Sequence, residues 1–465
     1  MFIIQLNEIN SNKSIIQLNS QLPKNVFPIW KNNFRFIILL IGFLICTSLS
    51  ININLFNFTL ICFNEKEEKQ NNEIILNKKE LNYLMLAMAI GNLISIFPFI
   101  YFYSKFGPRL VLFFASLISG IFTALTPLAK FYGFWTFLVV RIIQGITYAA
   151  DFSALGILCT QWAPLEEYGL FLSLISSYSP ASIFIVNFFS GIICSSSFLN
   201  WHFIYYISSI FCFIFSFIWL LIYKELPQLS SQVTIKELKK IQKGKNNLHI
   251  NKKINEQKIP LNKILMSKII WICWLNSFAE IIPGIFIIQY KPQYFNYILK
   301  YNIFNTGWLT ALPSFLHIPL KLLFGLASDK ISFISEKNKL ILFNNISVGL
   351  PILSYIAIIF APNSIFSLFG FISASIFYSA SCGGFYKCSI LTSRQFSYLI
   401  MSGIQLNKCL AFFISPALIN IFINQIENKL EWNNIFILFS ITSFLANILF
   451  CIFATDKPEK FTQNE

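Results

Sequence analysis

Arg141, Gln144, Tyr148 and Asp151 sit inside RIIQGITYAADFSALGILCTQWAPLEEY, residues Arg141 to Tyr168, an apolar run long enough to cross a bilayer. At 100° per residue the four fall within an arc of about 80° and make one polar stripe on a helix. A guanidinium in hydrocarbon costs about 3 kcal/mol or more, so such a residue turns toward a protein interior or a watery cavity and finds a partner there. Two readings follow. Arg141 and Asp151 neutralise one another or a neighbouring helix, or the stripe forms the wall of a transport cavity.

Other charges lie as deep. Glu280 falls early in a later apolar run, His317 and Lys321 are one helical turn apart, and Lys387 and Lys408 interrupt two further runs. Charged groups at such depth rarely face lipid. Lys321 and Lys387 are close enough to helix ends either to snorkel or to bind a ligand. His317 reads as a packing residue or as a proton sensor. Lys408 needs a cavity, a carboxylate or an exit to the interface.

The elements that must position these groups are membrane helices. The chain has 465 residues, 55% of them hydrophobic and 12% charged, with a mean hydropathy of +0.63, which is beyond the range of a soluble domain and defines a multi-pass membrane protein. The net charge of +15 comes from lysines gathered in loops and at the N-terminus, as in cytoplasmic segments, and argues against a nucleic-acid partner. The ten cysteines are scattered singly, without metal-ligand spacing. Only Cys62 and Cys194 fall where both could face the exterior, and a disulfide between them is left open. Met1 to Lys31 is polar, and the first apolar run is too long for a signal-peptide core.

Twelve spans follow from the hydropathy: 34–60, 81–103, 110–129, the run through Arg141, 169–194, 201–223, 269–290, 306–327, 340–360, 365–391, 398–423 and 435–454. The reading is all-α, with a tail at 1–33, a six-helix bundle at 34–223, a basic loop at 224–268, a second bundle at 269–455 and a tail at 456–465. The positive-inside rule places the loop and both termini in the cytoplasm. Thr47, Ser50, Asn54 and Asn57 draw a polar line down the first span, as interhelical hydrogen bonds or as cavity wall. No phosphate-binding glycine loop, paired-cysteine metal site or Ser/His/Asp pattern outside the membrane points to an enzyme, and no cofactor is expected.

Several short motifs carry a family resemblance. They are Arg-Ile-Ile-Gln-Gly at 141–145, Trp162-Ala163-Pro164 with Glu167, and Trp201 with Phe203 and Tyr205. Pro292 and Tyr294, Ala311-Leu312-Pro313 followed by Gly325 and Ser328-Asp329, and Met401 with Pro416 complete the set. In order and spacing the chain resembles the major facilitator superfamily. Within it, the chain is similar to the anion and cation symporter branch of sialin, the vesicular glutamate transporters and the type I sodium-phosphate transporters. The resemblance implies two six-helix bundles rocking about a midplane site, with Arg141 facing the cavity and meeting an anionic substrate or a carboxylate.

The departures matter as much. Tyr148 stands where the glutamate branch has a coupling glutamate, the first-span arginine is missing between Thr47 and Asn54, and Glu280 falls where that branch places an arginine. Ser104 replaces the loop aspartate of the first half, while Asp329 keeps its counterpart in the second, and Lys408 replaces a small glycine. A carboxylate's proton affinity differs between a guanidinium and apolar surroundings, so Asp151 or Glu280 either couples protons to transport or is a fixed counter-ion for Arg141. The expectation is a secondary transporter of a small organic solute, foremost an organic anion, working by alternating access with proton or sodium coupling. Substrate binding or coupling is assigned to Arg141, Gln144, Tyr148, Asp151, Glu280, His317 and Lys408, and gating to Arg109, Glu167, Asp329 and Arg394. The partners are the solute, a coupling proton or sodium ion and the lipid of the plasma membrane or an acidic vesicle or lysosome. The rivals are a transporter-like sensor that no longer pumps and an uncoupled uniporter.

Overall fold

One unbroken helix from Lys78 to Tyr132, 55 residues, would be about 80 Å long, more than twice the roughly 30 Å of a hydrocarbon core. It is broken at Gly107, where φ is 73° and ψ 168°. A side chain there is strained by the backbone, and its Cβ would fall 2.3 Å from a Glu225 carboxylate oxygen. Gln144 shows that the chain reverses: its amide nitrogen donates to Thr123 and Thr126 while its oxygen accepts from Arg141, which also reaches Met88 on the other arm.

The computed structural model describes residues 32–67, 78–196, 200–243 and 261–462. Its membrane-crossing helices are α1 (Phe34–Glu67), α2 (78–106), α3 (108–132), α4 (Phe134–Trp162), α5 (Tyr168–Ser195) and α6 (His202–Ile222), then α7 (Lys268–Ile298), α8 (Ile303–Lys330), α9 (Glu336–Ile359), α10 (Ser364–Ser393), α11 (Leu399–Phe422) and α12 (Lys429–Phe453). The twelve spans read from hydropathy are these twelve helices. Most of the N-terminal tail, the acidic stretch with Glu68 and Glu73, the middle of the basic loop (244–260) and the last three residues lie outside the described residues. The described part of the loop holds a short helix, Ile235–Gln242, whose Thr234 hydroxyl accepts from the Glu237 amide. Asn302, Ser335, Asn363 and Asn428 cap α8, α9, α10 and α12 in the same way, satisfying amides that hydrocarbon could not.

Apolar side chains on α6 and α12, such as Phe217, Leu221, Phe444 and Ile452, stay exposed and belong to the lipid-facing surface, whereas α4 is mostly enclosed. The halves meet along two main seams, with a further contact where the Tyr290 hydroxyl of α7 donates to the Met85 sulfur of α2 at 3.5 Å. On one, α5 and α8 touch backbone to backbone at both ends. A Cβ on Gly307 would lie 2.8 Å from the Gly191 Cα, and one on Gly325 would lie 2.7 Å from the Gly169 carbonyl oxygen, the close approach that small residues permit in membranes. On the other seam, α11 meets α2 and α4 through Gln405 to Asn92 (3.3 Å) and Ser402 to Ser153 (3.2 Å). At the end away from the basic loop, Cys62 and Cys194 form a disulfide between α1 and α5, so the bond left open by the sequence is made. The other eight cysteines are free, seven of them buried.

Candidate functional site

Three helices lose regular winding where they meet between the halves. α4 tightens at Ala149, whose amide donates to the Ile146 carbonyl, α5 does so at Ser177, and α10 does so over Ser379–Gly383. Such turns re-aim side chains. The first sets Tyr148 and Asp151, the second Tyr178, and the Tyr103 hydroxyl holds the loosened Ala150 carbonyl at 2.5 Å.

These turns border a cavity of about 160 Å³ between the halves. Asn54, Tyr148 and Tyr178 line it from the first half, and Glu280, Lys291, His317, Lys321 and Lys408 from the second. Lys408 crosses the seam to form an ion pair with fully buried Asp151. Tyr178 sits in the same cluster: its hydroxyl donates to Asp151 at 2.5 Å and accepts from Lys408 at 3.0 Å. The Lys408 ammonium also lies 3.8 Å from the centre of the Tyr148 ring, a cation–π contact. Asp151 is behind Tyr178 and does not line the cavity.

Deeper in the second half, Lys321 donates to the Ser176 carbonyl across the other seam at 3.4 Å and interacts electrostatically with Glu280. One Glu280 oxygen is buried without a hydrogen-bond partner among the described residues. His317 Nδ1 lies 2.7 Å from the Ser375 carbonyl; since a carbonyl only accepts, Nδ1 carries a proton and donates there. Lys291 is 3% exposed and has no hydrogen-bond or ion-pair partner among the described residues.

The stripe on α4 is therefore divided. Tyr148 reaches the cavity, but Arg141 does not. Arg141 bonds Gln144 at 3.0 Å and the Met88 sulfur at 3.6 Å and lies over the Phe56 ring at 4.4 Å, in the packing between α1, α2 and α4. Its Nε has no hydrogen-bond partner among the described residues. Asp151 is ten residues further on, nearly three helical turns or about 15 Å along the axis, so the two cannot neutralise one another, and Lys408 takes that role. Gln144 likewise ties α4 to α3 and does not face the cavity.

Of the four expected gating residues, Asp329 alone links the halves. It accepts the amides of Gly169 (3.2 Å) and Leu170 (2.9 Å) at the start of α5, where the helix dipole favours an anion. Lys387 braces it at 3.4 Å and donates to the Ser328 carbonyl at 3.1 Å. Arg109 is instead spent on the Leu220 carbonyl of α6 within its own half (2.7 Å), and Arg394 is exposed with φ 44°. Glu167 pairs with Arg35 (3.0 Å) and Lys240 (2.5 Å), so it docks the start of α1 and the loop helix and does not bridge the halves. Burial works against the charge on Glu167, but the hydrogen bonds from Arg35 and Lys240 outweigh it and hold the carboxyl below the usual range. Arg35 also pairs with Glu237 at 3.4 Å.

Residues 36–398 match the family model described as Major Facilitator Superfamily. The chain belongs to that superfamily. It is a multi-pass secondary transporter and not an enzyme, with the superfamily's twelve helices in two bundles. Sodium-dependent phosphate transport protein 3 of Mus musculus is 24% identical over 79% of this chain and 76% of its own length. Sialin of Homo sapiens is 24% identical over 82% of this chain and 77% of its own. The fold alone is shared with the proton:xylose symporter XylE bound to 6-bromo-6-deoxy-D-glucose. That match has a TM-score of 0.69 at 16% identity and covers 91% of this chain and 97% of that one.

Lys291, Tyr178 and Arg35 were not picked out from the sequence. Lys291 had a signal: it follows Glu280 by eleven residues, which at 100° per residue brings it back to within about 20° of the same face. Tyr178 gave none, because its direction depends on the irregular turn at Ser177.

Proposed function

We propose that the transporter carries a small organic anion by alternating access, with the halves 34–223 and 269–455 rocking about this cavity and with both termini in the cytoplasm. The observation that carries the reading is the charge of the cavity. Three lysines, Lys291, Lys321 and Lys408, border it against two carboxylates, Glu280 on its wall and Asp151 behind Lys408, so at least one buried cation is left for an incoming anion to satisfy, and Lys291 has no ion-pair partner among the described residues. A lone ammonium inside a membrane protein is costly unless a ligand uses it. Tyr148 and Tyr178 supply further polar and aromatic contacts. The name of one relative, sodium-dependent phosphate transport protein 3, fits an anionic solute.

Size adds a constraint. A cavity of about 160 Å³ is near the roughly 150 Å³ of an engineered protein cavity that holds benzene. A bulky solute such as a sugar acid therefore requires the cavity to widen. Glu280 is our candidate for coupling to protons, because it faces the cavity with one oxygen unsatisfied. Around it stand Lys321 from α8, Tyr355 from α9, and Tyr378, Cys382 and Tyr386 from α10.

The test is uptake of labelled phosphate, glutamate, urate and sialic acid, with neutral and cationic controls, into proteoliposomes with and without proton and sodium gradients. Saturable uptake of an acid supports the reading. If a proton gradient drives it in the wild type but not in Glu280→Gln, Glu280 couples; indifference to both gradients makes the protein a uniporter. Folded protein that moves none of the solutes is a sensor and contradicts the proposal.

A further inference from the structure

Three residues spaced along one face of α11, Ser402, Gln405 and Lys408, all meet the first half. Ser402 and Gln405 find neutral partners, whereas Lys408 sits where the seam opens into the cavity. It is 5% exposed, and Asp151 is fully buried. Lys408, Tyr148 and Tyr178 border the cavity and Asp151 does not, so an anion in the cavity meets Lys408 before it meets Asp151.

The ammonium therefore has two alternative counter-ions, one fixed in α4 and one that comes and goes. A charge in a dry seam needs a partner whether or not substrate is present, and a carrier must return empty after each delivery unless it exchanges one load for another. We propose that Asp151 stands in for the substrate's negative group, holding Lys408 while the cavity is empty so that the unloaded carrier can reorient, and yielding it when the anion arrives. The inference rests on the organic-anion reading. Asp151 is then a positioning residue that decides between net transport and obligatory exchange, and it does not itself touch the solute. Lys291 borders the cavity without such a stand-in.

Net uptake into empty vesicles and exchange against the same unlabelled acid separate the two steps, because only net uptake requires the empty carrier to return. Both are measured for phosphate, glutamate, urate and sialic acid. Asp151→Asn should lower net uptake on the order of 100-fold, since it leaves a buried charge without its carboxylate, while exchange stays within about tenfold of wild type because the solute replaces the lost charge. Asp151→Asn/Lys408→Gln removes both charges and should restore the wild-type ratio of net uptake to exchange at a weaker affinity.

An unchanged ratio in Asp151→Asn overturns the proposal, as does loss of both rates together in folded protein, which would make the pair a simple clamp. If the single variant does not fold, the double variant decides: a wild-type ratio supports the stand-in and confinement to exchange refutes it. Wild-type protein that moves none of the four acids refutes the organic-anion reading, which is a different result from an unaltered ratio.

Discussion

Asp329→Asn removes the charge that joins the halves at the basic-loop end. The carboxylate accepts from the Gly169 and Leu170 amides at 3.2 and 2.9 Å and is braced by Lys387. Asparagine keeps one acceptor oxygen and is neutral, so one of the two amide bonds is lost and the other loses its charge assistance, a loss of at least one charge-assisted bond. Lys387 still has Glu336 at 3.4 Å and the Ser328 carbonyl, so its own loss is small. A hydrogen bond to a charged group is worth about 1.5–3 kcal/mol, which at 1.4 kcal/mol per decade moves the closed-to-open ratio of this end by roughly 10- to 150-fold. Spin labels at exposed Lys105 and Lys337, one on each half, report the separation by double electron–electron resonance. The variant should shift the distance distribution toward the longer, open population, and Asp329→Glu should shift it less. An unchanged distribution in Asp329→Asn would refute the view that this contact holds the end closed.

Two further outcomes follow from the packing and the charges. Gly307→Ala would place a Cβ 2.8 Å from the Gly191 Cα and 3.0 Å from the Asn187 carbonyl. Overpacking of this kind costs about 1–3 kcal/mol, so labels across the disulfide end should move apart and exchange should slow, and wild-type values for both would contradict the role given to that crossing. Glu167 has a lowered pKa in the folded protein, so its stabilisation is fully present above the ordinary carboxylate value and is lost as pH falls through the folded value. A dye at exposed Lys236 should therefore gain mobility on acidification below about pH 4, whereas Glu167→Gln should give the mobile signal at neutral pH. A dye that is equally mobile in both proteins at pH 7 would show that Glu167 does not dock the loop helix.

The architecture was legible because bilayer thickness turns hydropathy directly into spans, and even the reversal at Gly107 is written as Lys-Phe-Gly-Pro-Arg between two apolar runs. The site was legible only in part. Tyr148, Asp151, Glu280, His317 and Lys408 were marked by polar chemistry at apolar positions, and the structure gathers them in and around one cavity. Their pairing could not be read. Helical periodicity places Arg141 and Asp151 on one face but is silent about depth, and the nearly three turns between them send one into helix packing and the other to Lys408. Arg109 and Glu167 were expected to bias a gate through charge contacts that exist in only one state. Each finds a nearer partner, in the frayed carbonyl end of α6 and in Arg35, and such a choice depends on three-dimensional neighbours that no linear pattern encodes.

The central claim is that an organic anion meets the unneutralised charge of the cavity, and the most direct measurement is the concentration dependence of acid uptake in wild type and Lys291→Gln. Losing one charge-assisted contact should raise KM by roughly 10- to 150-fold, with the maximal rate falling far less, while a neutral control is unaffected. An equal KM for the acid in the two proteins, or saturable uptake of neutral or cationic solutes alone, would contradict the account.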